Sequence, residues 1–412
     1  MAHLTKPTKY NIEDSNIALL GSDLEKRVRE HGGDKESAWQ DAGAQPGLQI
    51  WRIEKFHVVP WPQAQEGSFY DGDSYILLYT YKKTPESESL SYNIHFWLGE
   101  DTSQDEAGIP SVSCTIIIVP NHNLDMLGTA AYKTVELDDH LHGLPIQYRE
   151  VQAYESERFL SYFPRGFICL NGGISTGFHH VADMPLVNTH KLYRISITTN
   201  LHPSKAHSPT QLLAIRQVPF SASSLVEGDV FVLDKGTKVW QLNTKESAGK
   251  EKFKAAEFVR SLVETRKGAS NVTVFDEGGH GTGTFLSEFG EDATIHREER
   301  LPSADESLSA AKLFRISDAT GQPTFAAVDP PISRSSLSSN DAFLLDSGSS
   351  MHVWIGAQSS LTEQRLALQY AQKYLHDRYN GESGGSRKGV AIPIIKMREG
   401  HENEEFLKCL RA

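Results

Sequence analysis

Three aspartates in this chain stand in one local pattern, a tight turn followed by an alternating apolar strand. The pattern reads YDGDSYILLYTY at residues 70–81, VEGDVFVLDKG at residues 226–236 and SSNDAFLLDSG at residues 338–348. A glutamate follows each aspartate beyond a second aromatic strand, which gives the pairs Asp73 and Glu106, Asp229 and Glu251, and Asp341 and Glu363. The second and third pairs are both 22 residues apart, and the first is 33 residues apart because its hairpin is longer.

The polar groups of these segments are mainly oxygen atoms, which can bind a metal ion. The residue before each aspartate adds a backbone carbonyl beside the carboxylate, and these residues are Gly72, Gly228 and Asn340. Carboxylate and carbonyl oxygens at about 2.3–2.6 Å form the shell that Ca²⁺ prefers. A single Gly-Asp pair is usually an ordinary turn. Three copies with a spaced glutamate favour metal binding instead, so we predict a calcium site in each copy.

The elements that must position these carboxylates also recur. Each copy opens with an alternating strand pattern: GLQIWRIEKF from residue 47, KLYRISI from residue 191 and KLFRIS from residue 312. A helical pattern follows the second strand at residues 130–141, 252–266 and 361–379. Repetition at this length indicates one fold copied three times. Strands followed by a long helix and further strands predict an α+β domain with the helix packed on the sheet.

The repeats and the polar stretches between them suggest domain boundaries. We expect an N-terminal arm at residues 1–46 and repeats at residues 47–181, 191–290 and 312–412. Within the arm, a short charged helix is predicted to begin at Ser22 or Asp23 and to end at residues 32–33, which are glycines.

The composition limits the class of protein and its partners. With 412 residues, 39% of them hydrophobic and 23% charged, the chain is long enough for about three soluble domains. The net charge of −12 disfavours nucleic acid, because phosphate binding needs a basic surface. No apolar stretch approaches the ~20 residues of a membrane helix, and the N-terminus lacks a signal-peptide core. Three cysteines without metal-type spacing fit a reducing compartment, so we expect a cytoplasmic protein.

The first repeat resembles the first domain of gelsolin-family proteins. The segments that carry the resemblance, in order, are GLQIWRIEKF, GDSYILLYTY, HFWLGEDTSQDEAG, TAAYKTVELDDHL, QYREVQAYESERFLSYFPRG and GGISTGFHHV. The second and third repeats are similar to the family through their strand openings and their Gly/Asn-Asp-aromatic motifs. The resemblance implies three tandem gelsolin-like repeats, each a mixed central sheet flanked by a long and a short helix. It also implies calcium-regulated binding to actin, as monomer and as filament.

The resemblance further implies which residues bind calcium. In the first repeat they would be the Gly72 carbonyl, Asp73, Glu106 and the Ile174 carbonyl. A second ion, shared with actin, would use Asp138 and the carbonyls of Gly143 and Pro145. In the later repeats the corresponding residues would be Gly228, Asp229 and Glu251, with Asp305 as a fourth candidate, and Asn340, Asp341 and Glu363.

The helix at residues 130–141 resembles the one that enters the cleft at the barbed end of actin. Its Tyr132 and Val135 are three residues apart and share a face, and Asp138 lies on the same helix. Spacing alone would equally suit a face packed against the core. The resemblance implies that Tyr132, Val135 and Asp138 contact actin.

Two departures from the family pattern affect the reading. Residues 109–128, IPSVSCTIIIVPNHNLDMLG, intervene just before this helix, and they are either a lineage-specific insertion or a short retained intron. We expect them to form a poorly ordered loop outside the core. The stretches PRGFICLNGG and KLYRISITTN are not rich in lysine and arginine, which puts phosphoinositide binding in doubt.

The resemblance implies a calcium-dependent protein that severs actin filaments and caps their barbed ends, and the repeated carboxylates agree with the calcium dependence. No nucleophile–base arrangement is visible, so we expect no catalytic activity. Two alternatives are a capping protein that does not sever and a calcium-binding scaffold that has lost actin binding. The segment TTNLHPSKAHSPTQ at residues 198–211 bears on the first alternative, because it rearranges the entry to the second repeat.

Overall fold

Three similar units of sheet and helix follow one another along the chain. The computed structural model describes residues 36–54, 57–100, 126–173, 190–198, 212–297, 311–348, 350–380 and 392–410. Each unit contains antiparallel strands, a long helix, a strand parallel to the one before that helix, and a short helix. The α+β fold expected from the sequence is confirmed.

The first unit consists of β1 (Gly47–Glu54), β2 (His57–Pro60), β3 (Ser68–Tyr70), β4 (Ser74–Lys82), β5 (Leu90–Leu98), α1 (Met126–His140), β6 (Ile146–Val151), α2 (Glu157–Ser161) and β7 (Phe167–Leu170). The second consists of β8 (Lys191–Thr198), β9 (Leu212–Val218), β10 (Val230–Asp234), β11 (Lys238–Asn243), α3 (Gly249–Thr265), β12 (Asn271–Asp276) and α4 (Thr282–Leu286). The third consists of β13 (Lys312–Ser317), β14 (Thr324–Ala327), β15 (Ala342–Asp346), β16 (Met351–Ile355), α5 (Leu361–Asn380), β17 (Ile394–Arg398) and α6 (Glu404–Cys409).

The strand after each aspartate is central in its sheet. All five residues of β10 and all five of β15 are buried, as expected for strands covered on both faces. The long helix packs on one face through an apolar stripe, which in α3 contains Ala255, Phe258 and Val259. The short helix covers the other face, where Phe285 of α4 contacts the core that contains Trp240. The motif aspartate therefore lies at the end of a rigid strand.

The strands of the three units combine into two sheets. A ten-stranded sheet has the order β14-β13-β15-β16-β17-β6-β5-β4-β1-β2, so it joins the third unit to the first. The junction is the antiparallel pairing of β17 with β6. A seven-stranded sheet has the order β12-β11-β10-β8-β9-β7-β3, so two strands of the first unit extend the sheet of the second. The first unit thus contacts both of the others.

The described end of the N-terminal arm packs into the first unit. Trp39 is fully buried, and its ring meets that of Trp51 edge to face at 5.0 Å. Ala42 lies in the same core cluster. Lys133 of α1 donates hydrogen bonds to Glu36 at 2.9 Å and to Glu136 at 2.7 Å. The helix predicted near Ser22 lies outside the described residues.

The long helices agree with the sequence patterns to within a few residues. α1 begins at Met126, so the last three residues of the 109–128 segment form its first turn, and residues 109–125 lie outside the described residues. Among the helices that the structure describes, none has the length and apolar character needed to span a membrane.

Candidate metal centres

The third unit shows the arrangement of the aspartate and glutamate most plainly. Asp341, at the turn before β15, is 2% exposed, and Glu363, in the first turn of α5, is 1% exposed. Glu363 accepts hydrogen bonds from the backbone N–H of Asp318 at 2.8 Å and of Ser360 at 2.9 Å. Burial raises the pKa of Glu363, and the negative charges of Asp318 and Asp341 raise it further. The two predicted carboxylates therefore share one electrostatic environment at the start of the helix.

The second unit repeats this geometry. Glu251 lies in the first turn of α3 and accepts hydrogen bonds from the backbone N–H of Ile197 at 2.8 Å and of Ala248 at 2.7 Å. Burial is the largest influence on the pKa of Glu251 and raises it, and the charge of Asp229 acts in the same direction. Each glutamate thus joins the start of the long helix to the end of the opening strand.

In the first unit the aspartate is completely buried. Asp73 accepts a hydrogen bond from the Tyr75 hydroxyl at 3.3 Å and forms an ion pair with Arg52 at 3.4 Å. The backbone N–H of Gly72 donates to the carbonyl of Gly172 at 2.7 Å. A Cβ added to Gly173 would lie 2.7 Å from Asp73 Oδ1. The chain that leads into residue 174 therefore passes directly beside this carboxylate.

An arginine accompanies the aspartate in all three units. Arg52 of β1 pairs with Asp73, Arg194 of β8 pairs with Asp229, and Arg315 of β13 pairs with Asp341 at 2.7 Å. The sequence reasoning missed these residues, although a signal was present: the opening strands read Trp-Arg-Ile, Tyr-Arg-Ile and Phe-Arg-Ile. In each unit the arginine therefore places a positive charge beside the motif aspartate.

The donor set fits a cation that binds oxygen ligands and accepts carbonyls. In the part of the chain that the structure describes, no three His, Cys, Asp or Glu side chains come close enough to hold a metal by themselves. The aspartate and glutamate of each pair offer oxygen ligands only, which is the ligand type that Ca²⁺ prefers, together with backbone carbonyls. Gly228, whose φ is +99°, and Asn340 stand in the turns from which such carbonyls would come.

Asp138 occupies a separate position, at the end of α1. It is 3% exposed, and its Oδ1 atom is buried without a hydrogen-bond partner. The backbone N–H of Gly143 donates to the Asp138 carbonyl at 2.8 Å, and Gly143 has a φ of +70°. The turn at residues 141–145 therefore folds back over the aspartate. A buried carboxylate oxygen without a partner is costly, and a cation would satisfy it.

The third unit contributes positive charges to this position. Burial raises the pKa of Asp138, whereas the charges of Lys396 and Arg398 and a hydrogen bond from Gln147 lower it. A Cβ added to Gly143 would lie 3.0 Å from the Arg398 guanidinium carbon. Both cations belong to β17, the strand that pairs with β6 at the junction.

Several predicted residues cannot be placed. Glu106, Ile174 and Asp305 lie outside the described residues, as does the side chain of Tyr132. Val135 of α1 is half-buried, and Pro145 is buried just before β6. The structure thus brings together the aspartate–glutamate pairs of the second and third units. The complete ligand sets stay predictions.

Comparison with known proteins agrees with this architecture. A family profile described as "Gelsolin repeat" matches residues 55–109 and 326–407. The chain is 39% identical over 358 residues to "Gelsolin-like protein 1" of Lumbricus terrestris, covering 86% of each protein. It is 35% identical over 417 residues to "Gelsolin-like protein 2" of the same organism, covering 100% of each. It is 33% identical over 382 residues to "Severin" of Echinococcus granulosus, covering 91% of this chain and 92% of the relative. The chain belongs to the gelsolin family.

Proposed function

We propose that this protein binds actin, severs its filaments and caps their barbed ends, and that calcium controls these activities. Family membership supports the actin-directed activity. The observation that carries the calcium control is the recurrence of an aspartate–glutamate pair in the second and third units, in which the glutamate is buried and has equivalent backbone partners. Packing alone gives no reason to keep two carboxylates close together, because their charges repel.

The residues proposed to hold calcium are those that the resemblance to the family implies, and the carboxylate pairs support them. In the second unit they are Asp229 and Glu251 with the Gly228 carbonyl, and in the third they are Asp341 and Glu363 with the Asn340 carbonyl. Asp73 and the Gly72 carbonyl would act in the first unit. Glu106, Ile174 and Asp305 remain proposed further ligands. Bound calcium supplies a divalent charge that compensates the two carboxylates. These residues then hold the turn before the strand against the start of the long helix.

The junction between the first and third units suggests what calcium must change. The proposed actin-binding helix α1 carries Val135 and Asp138, and the cations of β17 lie against its end. Asp138, with the carbonyls of Gly143 and Pro145, would hold the ion shared with actin. Actin could reach this site only after β17 moves away from β6. We propose that calcium shifts the population toward such an open arrangement, since it binds the open state more tightly.

We also propose how the protein acts, where it acts and where its domains begin and end. Binding energy, with no catalytic step, would displace the contacts between actin subunits during severing. The protein would act in the cytoplasm, on the actin cytoskeleton. The domain bounds would be residues 47–181, 191–290 and 312–412, after an N-terminal arm at residues 1–46.

Depolymerisation of pyrene-labelled actin, with calcium and with a chelator, tests the proposal. Calcium should accelerate depolymerisation through severing and should block growth from filament seeds through capping. Asp229→Asn and Asp341→Asn together should raise the calcium concentration required. Asp329→Asn changes an exposed aspartate away from the carboxylate pairs and should leave that concentration unchanged.

The other possible outcomes of this experiment would each identify a different activity for this chain. Blocked seed growth without faster depolymerisation identifies a capping protein that does not sever. Equal activity with chelator and with calcium contradicts the calcium control. Absence of any effect on actin, with calcium still bound in calorimetry, identifies a scaffold.

A further inference from the structure

The second and third units differ in a residue beside the buried glutamate. In both units this glutamate accepts a hydrogen bond from a backbone N–H three residues after the arginine of the opening strand. In the second unit the donor is Ile197, which lies 2.8 Å from the Glu251 carboxylate. In the third unit it is Asp318, which lies 2.8 Å from the Glu363 carboxylate. Ile197 and Asp318 are therefore structurally equivalent, and of these two units only the third has a carboxylate at this position.

The strand pairings support this equivalence independently. Arg194 of β8 lies opposite Phe231 of β10. Arg315 of β13 lies opposite Phe343 of β15. Both phenylalanines stand two residues after the motif aspartate of their unit. The count of three residues from the arginine therefore starts at the same place in both sheets.

The carboxylate of Asp318 is joined to the start of α5. Its Oδ2 atom accepts a hydrogen bond from the Ser360 hydroxyl at 2.6 Å. Ser360 Oγ also accepts from the backbone N–H of Glu363 at 3.1 Å, and the Ser360 N–H donates to the Glu363 carboxylate at 2.9 Å. The equivalent residue of the second unit is Ala248, which donates its N–H to Glu251 but has no hydroxyl. The hydrogen-bonded side chains of Asp318 and Ser360 are therefore specific to the third of these two centres.

This difference changes the charge around the glutamate. In the second unit the motif aspartate and the glutamate carry two negative charges, and Arg194 carries one positive charge. In the third unit Asp318 adds a third negative charge, and Arg315 is again the positive charge of the group. Burial is the largest influence on the pKa of Glu363, and the charge of Asp318 raises it more than that of Asp341 does. Asp318 is half-buried, so water screens its charge only in part.

We propose that Asp318 adds a further carboxylate to the calcium centre of the third unit and gives it a higher calcium affinity than the centre of the second unit. The inference rests on the proposed function, because it concerns the same cation. In the described part of the chain no three acidic side chains converge closely enough to hold a metal by themselves. Asp318 therefore acts on the ion through its charge, and Ser360 holds that charge in place. The third unit then fills before the second as the calcium concentration rises.

Titration calorimetry of the full chain can measure each centre when the equivalent ones are removed. We define the third-centre protein as the chain with Asp73→Asn and Asp229→Asn, and the second-centre protein as the chain with Asp73→Asn and Asp341→Asn. The third-centre protein should bind calcium about fivefold more tightly than the second-centre protein. Thermal unfolding in chelator verifies that each protein folds.

Substitutions in the third-centre protein separate the charge of Asp318 from its place in the local structure. Asp318→Asn keeps an acceptor for Ser360 but removes the charge, and it should weaken calcium binding about fivefold. Asp318→Glu keeps the charge and should retain most of the affinity. Asp329→Asn removes the same charge from an exposed position and is the matched control, which should leave the affinity unchanged. The effect of Asp318→Asn should shrink as salt is added, because salt screens charges.

The same pair of residues can be transferred to the second unit. Ile197→Asp with Ala248→Ser in the second-centre protein should tighten calcium binding about fivefold. Unchanged affinity in the Asp318→Asn protein, or a weakening that salt does not alter, would overturn the inference and leave the proposed function intact. Absence of calcium binding in all of these proteins and in the unmodified chain would overturn both.

Discussion

Replacing Arg315 by glutamine should strengthen calcium binding by the third unit and weaken the calcium-free fold. Arg315 lies 2.7 Å from Asp341, and their side chains are 50% and 3% exposed. An ion that binds Asp341 must compete with this guanidinium. Because the guanidinium is half in solvent, it can move away when calcium arrives. The Arg315→Gln protein has no ion pair to break when calcium binds.

The size of the effect follows from the exposure of the pair. Fully exposed ion pairs contribute about 0.2–1 kcal/mol, and hydrogen bonds to charged groups contribute about 1.5–3 kcal/mol before solvent screening. A half-exposed arginine on a buried carboxylate is therefore assigned about 1 kcal/mol. The substitution removes this contribution from the calcium-free state and not from the calcium-bound state. Because 1.4 kcal/mol corresponds to a factor of ten, a loss of about 1 kcal/mol should tighten calcium binding about fivefold.

The ionisation of Asp341 does not reverse this expectation. Burial by itself raises the pKa of Asp341, but hydrogen bonds from Ser317, Arg315 and Ser338 bring it below its ordinary value. Two of these partners remain in the variant. A carboxyl with a lowered folded pKa stabilises the fold above its unfolded pKa of about 3.9 and loses that contribution as the pH falls. Asp341 therefore stays ionised at neutral pH in both proteins.

Titration calorimetry of the full chain with calcium measures the affinity, and thermal unfolding in chelator measures the stability. Arg194→Gln should behave similarly in the second unit. Arg260→Gln removes an ion pair on α3 whose arginine is 81% exposed and whose glutamate is 62% exposed, so it is the control and should change neither quantity. Unchanged calcium binding in Arg315→Gln would refute the competition, and weaker binding would show instead that the arginine positions Asp341 for the ion.

Three further expectations can be measured directly. Asp73→Ala should remove an anionic ligand and reduce calcium affinity in the first unit at least tenfold, or the number of ions bound in calorimetry by one; unchanged values would remove Asp73 from the site. Asp138→Ala should weaken calcium-dependent actin-monomer binding without unfolding the protein, and equal affinity with and without chelator would contradict its role. Burial lowers the pKa of His352 to about 4. The neutral imidazole therefore contributes fully to stability above pH 6.5, and this contribution, about 3 kcal/mol, is lost as the pH falls toward 4. Unfolding measured at a series of pH values should show a smaller loss of stability in acid for His352→Gln, and an equal loss would mean that another group causes it.

Local patterns were enough to predict most of the secondary structure. The continuous apolar runs of β10 and β15 indicate buried strands and the apolar stripe of α3 indicates a helix, and both patterns depend on neighbouring residues only. The aspartate–glutamate spacing also depends on a short stretch of sequence, so it could indicate a metal site without the tertiary structure. In the second and third units, one hairpin of fixed length carries the chain from the turn to the start of the helix.

The sequence did not predict how the strand that follows the long helix in each unit would pair with the other units. β6, β12 and β17 are similar short segments, and nothing in their residues says which two meet. Arg149 and Ile394 pair across 245 residues because the first and third units are held together by a shared core, in which Tyr148 contacts the cluster that contains Phe406. Trp39 likewise looked like part of an accessory arm, and only packing against Trp51 places it in the core.

The sequence by itself determined the three-fold repetition, the class of each element and the carboxylates available to a cation, because these depend on residue type and short spacing. The tertiary structure alone decided which charges face those carboxylates. The arginine of the opening strand reaches the aspartate across a strand pairing, as Arg315 on β13 reaches Asp341 at the start of β15. Lys396 and Arg398 reach Asp138 across a boundary between units. Electrostatic interactions depend on distance in space, and only the folded chain sets that distance.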